Sequence, residues 1–197
     1  LREVSQYLLI VSSKYFRLID YFSKMLTLDY IIVPIGITEE EMNSDKFKKN
    51  YLKVVNYMEQ FNVKHEIRKI LEVILSEDIF FGYERNQGTD EFMIQRLPTN
   101  YCKLYSIERG VLNFAFNFSY FDTRKKELEN YPSEFSEMYS EYIETRNNWM
   151  VLDGNKSVCF KLRETYPYSI PVFSGAFEDL LDLDDTKDLI KTKLRLE

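Results

Sequence analysis

Carboxylates near one end of the chain are the residues best suited to metal chemistry. Six acidic residues lie within eleven positions: Glu178, Asp179, Asp182, Asp184, Asp185 and Asp188. Carboxylate oxygens are preferred ligands of hard divalent cations, but the segment lacks the spacing and the glycine of an EF-hand loop. Acidic residues are also favoured at a helix N-terminus, where the helix dipole is positive. We therefore expect this segment to begin a helix, and a metal-dependent enzyme built on it is the less favoured alternative.

Other residues with catalytic potential are few. The single histidine, His65, lies between Lys64 and Glu66 in a predicted helix, with no acid–base partner indicated. Cys102 and Cys159 lie in predicted strands, where we expect buried, inert thiols and no disulfide. The sequence has no zinc-ligand spacing, no P-loop, no dinucleotide-binding glycine motif and no nucleophile elbow. We therefore predict that the protein is not an enzyme and has no catalytic, cofactor-binding or metal-binding residue.

Nucleic-acid recognition has one candidate surface, the aromatic run over residues 114–121. Its phenylalanines at positions 114, 116 and 118 alternate with Asn113, Ala115 and Asn117, a period typical of the buried face of a strand. Basic residues cluster only at Lys46, Lys48 and Lys49 and at Arg124, Lys125 and Lys126. With a net charge of −6, the chain is not expected to bind phosphates through a broad basic surface. Trp149 is expected to be a core or interface anchor.

The composition is that of a folded globular protein. Hydrophobic residues make up 45% of the 197 positions and charged residues 29%. No stretch approaches the roughly 20 apolar residues that cross a bilayer, so we predict no membrane segment. Phe and Tyr occur 15 times each, a bias toward A/T-rich codons that suggests an AT-rich genome.

Residues 1–77 are predicted to be mainly helical. Apolar spacing indicates a helix over 1–10 and a second one that begins at Ser12 or Ser13. The apolar face of the second helix is predicted to be Tyr15, Phe16, Ile19, Phe22 and Leu26. Residues 29–34 form a short β-rich run, and a capping box at 38–41 precedes a long helix that Asn62 ends. A further helix follows through residues 63–74.

Residues 78–183 are predicted to contain the strands. Residues 79–83 and 92–94 form a strand pair around a turn at 85–88, and residues 101–107 and 111–118 form a hairpin joined at Arg109-Gly110. A helix is expected over 122–130, and another begins at Pro132 or Ser133. The side chains of the second helix that are predicted to face inward are Phe135, Met138, Tyr139, Tyr142 and Ile143. Residues 157–162 form a last strand, and an amphipathic helix starts at Asp184 or Asp185. This order predicts an α+β fold in one domain over 1–197.

Short motifs follow one another in order along nearly the whole chain. They begin with Ser5-Gln6-Tyr7-Leu8, Ser13-Lys14-Tyr15-Phe16-Arg17-Leu18-Ile19-Asp20-Tyr21-Phe22 and the helix-to-strand stretch 74–83. They continue with Leu97-Pro98, Tyr101-Cys102, residues 110–121, Tyr131-Pro132, Glu134-Phe135, Trp149 and Leu152, and end with residues 158–161, 170–175 and 181–187. In this order and spacing the chain resembles the portal (head–tail connector) proteins of tailed bacteriophages that infect low-GC Gram-positive hosts.

The resemblance implies a structural function without catalysis. Portal proteins form a ring, usually of twelve copies, at one capsid vertex, and double-stranded DNA passes through it without sequence-specific binding. The ring docks the terminase large subunit, the major capsid protein and head-completion or tail adaptor proteins. The expected location is thus the virion, after synthesis in the bacterial cytoplasm. No residue of this chain can be assigned as a DNA contact.

The ends of the chain suggest a fragment of a longer protein. It starts at Leu1 rather than Met, and its last residues, Leu196-Glu197, could be a cloning scar. If the resemblance holds, the fragment covers the α+β wing body of a portal protein, and residues 184–197 begin a helix directed toward the stem. The main alternative is a non-catalytic interaction module of an AT-rich bacterium or phage.

Overall fold

The computed structural model describes residues 1–86, 92–108, 110–163 and 167–182. The predicted α+β class is confirmed, because helices are combined with two small antiparallel sheets. The helices are α1 (Arg2–Val11), α2 (Ser13–Met25), α3 (Glu39–Met42), α4 (Asp45–Phe61), α5 (Val63–Glu77) and α6 (Ser133–Thr145). The strands are β1 (Ile79–Arg85), β2 (Met93–Arg96), β3 (Cys102–Glu108), β4 (Val111–Asn117), β5 (Trp149–Val151) and β6 (Ser157–Lys161). No helix in these ranges has the length and apolarity needed to cross a bilayer.

The chain divides into two compact units. The first unit takes its described residues from 1–26, 68–80 and the part of the chain from Phe160 onward, and the second unit from 27–67 and 81–159. The strand orders are β2-β1-β6 in one sheet and β3-β4-β5 in the other. The single domain over 1–197 stays a prediction.

The core of the first unit is built by α1 and α2. Ser12 separates the two helices: its N–H donates to the Leu8 carbonyl at 2.9 Å, and its hydroxyl accepts from the Tyr15 N–H at 3.4 Å, which confirms it as an N-cap. Leu8, Tyr15, Ile19 and Phe177 form the buried cluster. The prediction that Phe16 and Leu26 belong to the buried apolar face of α2 is wrong, because both side chains are exposed.

A buried polar network ties α1 to α5 within the first unit. The Ser5 hydroxyl donates to the Ser76 carbonyl at 2.6 Å, so its oxygen accepts from the Tyr15 hydroxyl, 2.7 Å away. Burial raises the pKa of Tyr15, which keeps this phenol a neutral donor. Because buried hydroxyls are costly without partners, the network fixes which faces of the helices meet.

Two predictions in residues 27–67 need correction. Residues 29–34 form no strand, because the described part of the chain offers them no neighbouring strand and β-branched residues need one to complete a ladder. The capping box at Thr38 exists, but it begins only the one-turn helix α3. Ser44 caps the long helix α4, accepting from the Phe47 N–H at 3.2 Å. Asn62 ends α4, as predicted, and the structure shows it in the left-handed conformation.

The predicted strand pairs are confirmed. β1 and β2 pair antiparallel with Gly82 opposite Arg96, and β3 and β4 pair with Cys102 opposite Phe116. Gly110 adopts a φ of 83°, which a tight turn requires and glycine allows. A register shift lies between Leu104 and Ser106. Gln87, Gly88 and Arg109, predicted as turn residues, lie outside the described residues.

Aromatic side chains make the core of the second unit. Phe114, Phe116 and Phe118 are fully buried, as predicted, although Phe118 lies beyond β4 in a 3-10 turn over Phe118–Phe121. The Asn117 side chain starts that turn by accepting from the Ser119 N–H at 3.0 Å. Ala115 is also buried, so both faces of β4 are covered. The centre of the Phe116 ring lies within 6 Å of the ring centres of Phe118, Tyr120, Phe121 and Phe135.

Helix α6 begins at Ser133 and supplies Phe135 and Tyr142 to this core, as predicted. Ile143, also predicted to face inward, is 43% exposed. The helix predicted over 122–130 is a 3-10 helix over Lys125–Asn130. The strand predicted over 157–162 is confirmed as β6. The final helix predicted from Asp184 or Asp185 lies outside the described residues.

Candidate functional site

The structure leaves the single histidine and both cysteines apart from one another. His65 is exposed on α5, Cys102 lies in β3, and Cys159 lies in β6. The two thiols were predicted to be buried, but both are half-buried. β3 and β6 are each the edge strand of their sheet, so one side of each strand has no neighbouring strand in that sheet. Trp149 is half-buried in β5, with the Lys103 ammonium 4.3 Å from its ring centre.

The acidic segment supplies no metal site in the part of the chain that is described. Glu178, Asp179 and Asp182 are exposed, and Asp184, Asp185 and Asp188 lie outside the described residues. No group of three or more histidine, cysteine or acidic side chains that could hold a metal ion occurs among the described residues.

The phenylalanines of the aromatic run form a core and offer no stacking platform to bases. Phe114, Phe116, Phe118 and Phe121 have no exposed surface, whereas base stacking needs an accessible ring face. Of the basic clusters, Lys46, Lys48 and Lys49 lie along α4. Arg124 is held over the ring of Tyr120 at 4.7 Å and 3.8 Å from the Glu127 carboxylate.

A polar cleft of about 520 Å³ lies in the second unit. It is lined by residues 84–86 at the end of β1, by residues 131–134 at the start of α6, and by Lys156. The Arg85 guanidinium donates to the Asn130 carbonyl at 2.8 Å. The Lys156 ammonium forms an ion pair with the Glu134 carboxylate, and the Glu84 N–H donates to the Lys156 carbonyl at 2.8 Å.

The charges of Glu134 and Lys156 in the polar cleft are stabilised, whereas the charged form of Glu84 is disfavoured. The Lys156 ammonium and then the residue's own N–H lower the pKa of Glu134, and the hydrogen bond to Glu134 raises the pKa of Lys156. Burial raises the pKa of Glu84. A general acid or base works best with a pKa near the ambient pH. Because the pKa values of Glu134 and Lys156 both move away from neutrality, the pair is suited to holding β6 and α6 in place rather than to proton transfer.

A buried ion pair organises the first unit. The Asp78 carboxylate is fully buried and pairs with the Lys161 ammonium, which is 5% exposed. It also accepts from the Arg163 N–H and the Ile170 N–H, each at 3.0 Å. Asp78 has a φ of 69°, a conformation that aspartate and asparagine tolerate better than other residues. One side chain thus joins the end of α5, β6 and the segment after it.

The largest exposed apolar side chains are concentrated in residues 1–35. In the first unit, Ile10 is 85% exposed, and Tyr7, Phe16, Tyr21 and Met25 are each more than half exposed. In the second unit, Ile31 and Ile35 are 88% and 90% exposed, with Val33 between them at 66%. Contiguous exposed apolar groups are typical of surfaces that bind other proteins. We name residues 1–35 the candidate interaction segment, of which residues 1–26 belong to the first unit and residues 27–35 to the second.

Sequence reasoning did not find the Asp78–Lys161 pair or the polar cleft. The sequence held one signal for the Asp78–Lys161 pair, since Lys161 interrupts an apolar run that is predicted to be a strand. It holds no local signal for the polar cleft, because Glu134 and Lys156 meet only after α6 and β6 have formed.

Comparison of the chain with models of protein families, with curated proteins and with solved structures gives no match. What the chain does is therefore inferred from its own residues and geometry.

Proposed function

We propose that this chain is the wing body of a bacteriophage portal protein, a ring-forming structural component of the capsid vertex. In this role it surrounds double-stranded DNA during packaging and ejection. It docks the terminase large subunit, the major capsid protein and the head-completion or tail adaptor proteins. The proposal assigns it no catalysis and no cofactor.

The exposed apolar side chains of residues 1–35 carry the proposal. Burial of apolar surface drives most protein association, and a ring subunit must bury such surface against neighbouring copies. Ile10, Ile31 and Ile35 are each at least 85% exposed. Covering side chains of this size by a partner is worth about 1.5–3 kcal/mol apiece when burial is complete.

The location of the motif residues also supports the proposal. Tyr15 and Ile19 belong to the core of the first unit, and Phe114 and Phe116 to the core of the second. Part of the resemblance therefore rests on residues that determine packing, as expected for a shared fold, while Phe16 and Tyr21 of the same motifs are exposed. It does not rest on a shared catalytic site.

The net charge is compatible with a DNA channel. The chain has a net charge of −6, and a channel wall that repels phosphates lets DNA slide instead of adhering. The burial of Phe114, Phe116, Phe118 and Phe121 is consistent with this role, because these rings are closed to unpaired bases.

The test is negative-stain electron microscopy of the full-length protein together with its native mass. We expect a closed ring whose central opening admits duplex DNA. A variant with Ile31→Asp and Ile35→Asp is expected to weaken assembly, and Tyr105→Ser, at a site that is 62% exposed outside the segment, is the control. A compact monomer or dimer would contradict the proposal and favour a non-catalytic interaction module.

A further inference from the structure

Helices α2 and α6 carry exposed charges of opposite sign at the same spacing. On α2, Lys14, Arg17, Tyr21 and Lys24 stand at intervals of three, four and three residues and form what we call the basic face. On α6, Glu134, Glu137, Glu141 and Glu144 repeat those intervals and form the acidic face, in which Glu134 is half-buried and already paired with Lys156. In a helix such intervals place side chains along one stripe, here about 15 Å long.

Two cationic side chains of the basic face are available to bind a partner. In the described part of the chain, Lys14 and Arg17 are exposed and make no ion pair or hydrogen bond, whereas Lys24 pairs with Asp20. Residues 1–26 hold four basic and two acidic side chains, although the whole chain is acidic. Phe16 and Met25, both more than half exposed, lie on the same helix.

The acidic face carries charge that its own helix does not favour. Glu137, Glu141 and Glu144 are exposed and have no ion-pair partner among the described residues. Like charges three or four residues apart destabilise a helix. Glu144 also lies in the last turn, which has no basic residue and where the helix dipole disfavours an anion. A cationic partner would relieve both effects, and Ile143 beside these residues is 43% exposed.

We propose that the basic face of one copy docks on the acidic face of a second copy. The proposal rests on the proposed ring function and names the surfaces that join its subunits. Because the two faces differ, the contact is head-to-tail, and repetition of such a contact closes into a ring or continues as a filament. The apolar side chains beside each face supply buried area, and the charges select the partner and the orientation.

Charge reversal in the full-length protein tests the contact. Lys14→Glu with Arg17→Glu, or Glu137→Lys with Glu141→Lys, is expected to raise the concentration for half-assembly by roughly tenfold or more, because like charges then face each other. Combining all four substitutions is expected to restore assembly. Lys48→Glu with Lys49→Glu, on exposed positions of α4, is the matched control and is expected to leave assembly unchanged.

Zero-length carbodiimide cross-linking gives a second readout that needs no variant. In a mixture of ¹⁴N- and ¹⁵N-labelled copies, we expect Lys14 or Lys24 of one copy to be joined to Glu137, Glu141 or Glu144 of the other. High salt is expected to lower the yield, since exposed charge pairs are screened.

The outcomes separate this inference from the proposed function. Rings that form in every variant and give no such cross-links overturn the α2–α6 contact and leave the ring intact. A wild-type protein that is monomeric and gives no cross-links overturns both. If duplex DNA, or vesicles of phosphatidylcholine and phosphatidylserine, bind the wild type and not the Lys14→Glu, Arg17→Glu variant while assembly is unaffected, the basic face serves that ligand and the contact is refuted.

Discussion

Replacing Asp78 by asparagine tests whether the buried ion pair holds the first unit together. Asparagine has the shape of aspartate and tolerates the φ of 69° at this position, so the change removes charge without adding backbone strain. The Arg163 N–H donates to Oδ1 of Asp78, whereas the Ile170 N–H and the Lys161 ammonium both donate to Oδ2. In either orientation of the new amide, its NH₂ group therefore faces at least one of these donors.

The expected loss follows from the burial of both partners. A hydrogen bond to a charged group contributes about 1.5–3 kcal/mol. The change removes at least one such bond and leaves the others to a neutral oxygen. Removing one partner of a buried ion pair costs about 3–5 kcal/mol, because the other charge remains desolvated. Lys161 is only 5% exposed. We therefore expect Asp78→Asn to lower the free energy of unfolding by about 4 kcal/mol.

Urea unfolding followed by far-ultraviolet circular dichroism measures this loss. Asp20→Asn is the matched control, because Asp20 and Lys24 form the same kind of pair with side chains 36% and 58% exposed. The control is expected to lose at most about 0.5 kcal/mol. Adding Lys161→Met to Asp78→Asn is expected to recover part of the loss, since no uncompensated ammonium is then buried. Equal losses for Asp78→Asn and Asp20→Asn would refute the reasoning.

Three further predictions concern the core, a helix cap and the polar cleft. Phe116→Ala is expected to cost about 3–5 kcal/mol of stability, against less than about 1.5 kcal/mol for the exposed Phe16→Ala; similar urea midpoints would contradict the aromatic core. Ser44→Ala removes the N-cap of α4 and is expected to cost about 1 kcal/mol, and undiminished thermal stability and helicity would contradict that role. The pKa of Glu134 is lowered in the folded protein, so its stabilising pair is present above the usual value of 4.5 and is lost as pH falls through the lowered pKa. The pKa of Lys156 is raised, so the pair is lost at the alkaline end as pH rises through that value. The melting-temperature difference between wild type and Glu134→Gln should therefore close at both extremes, and a difference that widens on acidification would contradict the pairing.

Helix caps, helix ends and turns could be predicted from the sequence, because they depend on residues that are neighbours in the chain. Ser12 as a cap, Asn62 as a helix end and the turn at Gly110 follow from side-chain and backbone preferences of single residues. The alternation in β4 predicted which phenylalanines are buried. These features need no knowledge of distant parts of the chain.

The predictions from sequence were wrong or missing where a residue far along the chain decides the local structure or the burial of a side chain. Residues 29–34 have strand propensity but no described strand beside them, and Phe16 has helical spacing but lies on the solvent side of α2. The capping box at Thr38 was identified correctly, yet its helix lasts one turn because Ser44 starts the next. Asp78 could not be foreseen, because Lys161 and Ile170 come to it from far along the chain.

The scattered origin of the first unit has a consequence for synthesis on the ribosome. Leu8, Tyr15 and Ile19 are made first, and Phe177, whose ring packs edge-on against that of Tyr15 at 5.6 Å, follows Tyr15 by about 160 residues. At about 5–20 residues per second, α1 and α2 wait many seconds without the ring of Phe177 against them. Contacts of such long sequence separation also slow folding once the chain is complete. The nascent protein is thus most vulnerable to aggregation and to chaperone capture through α1 and α2 until the segment around Phe177 leaves the exit tunnel.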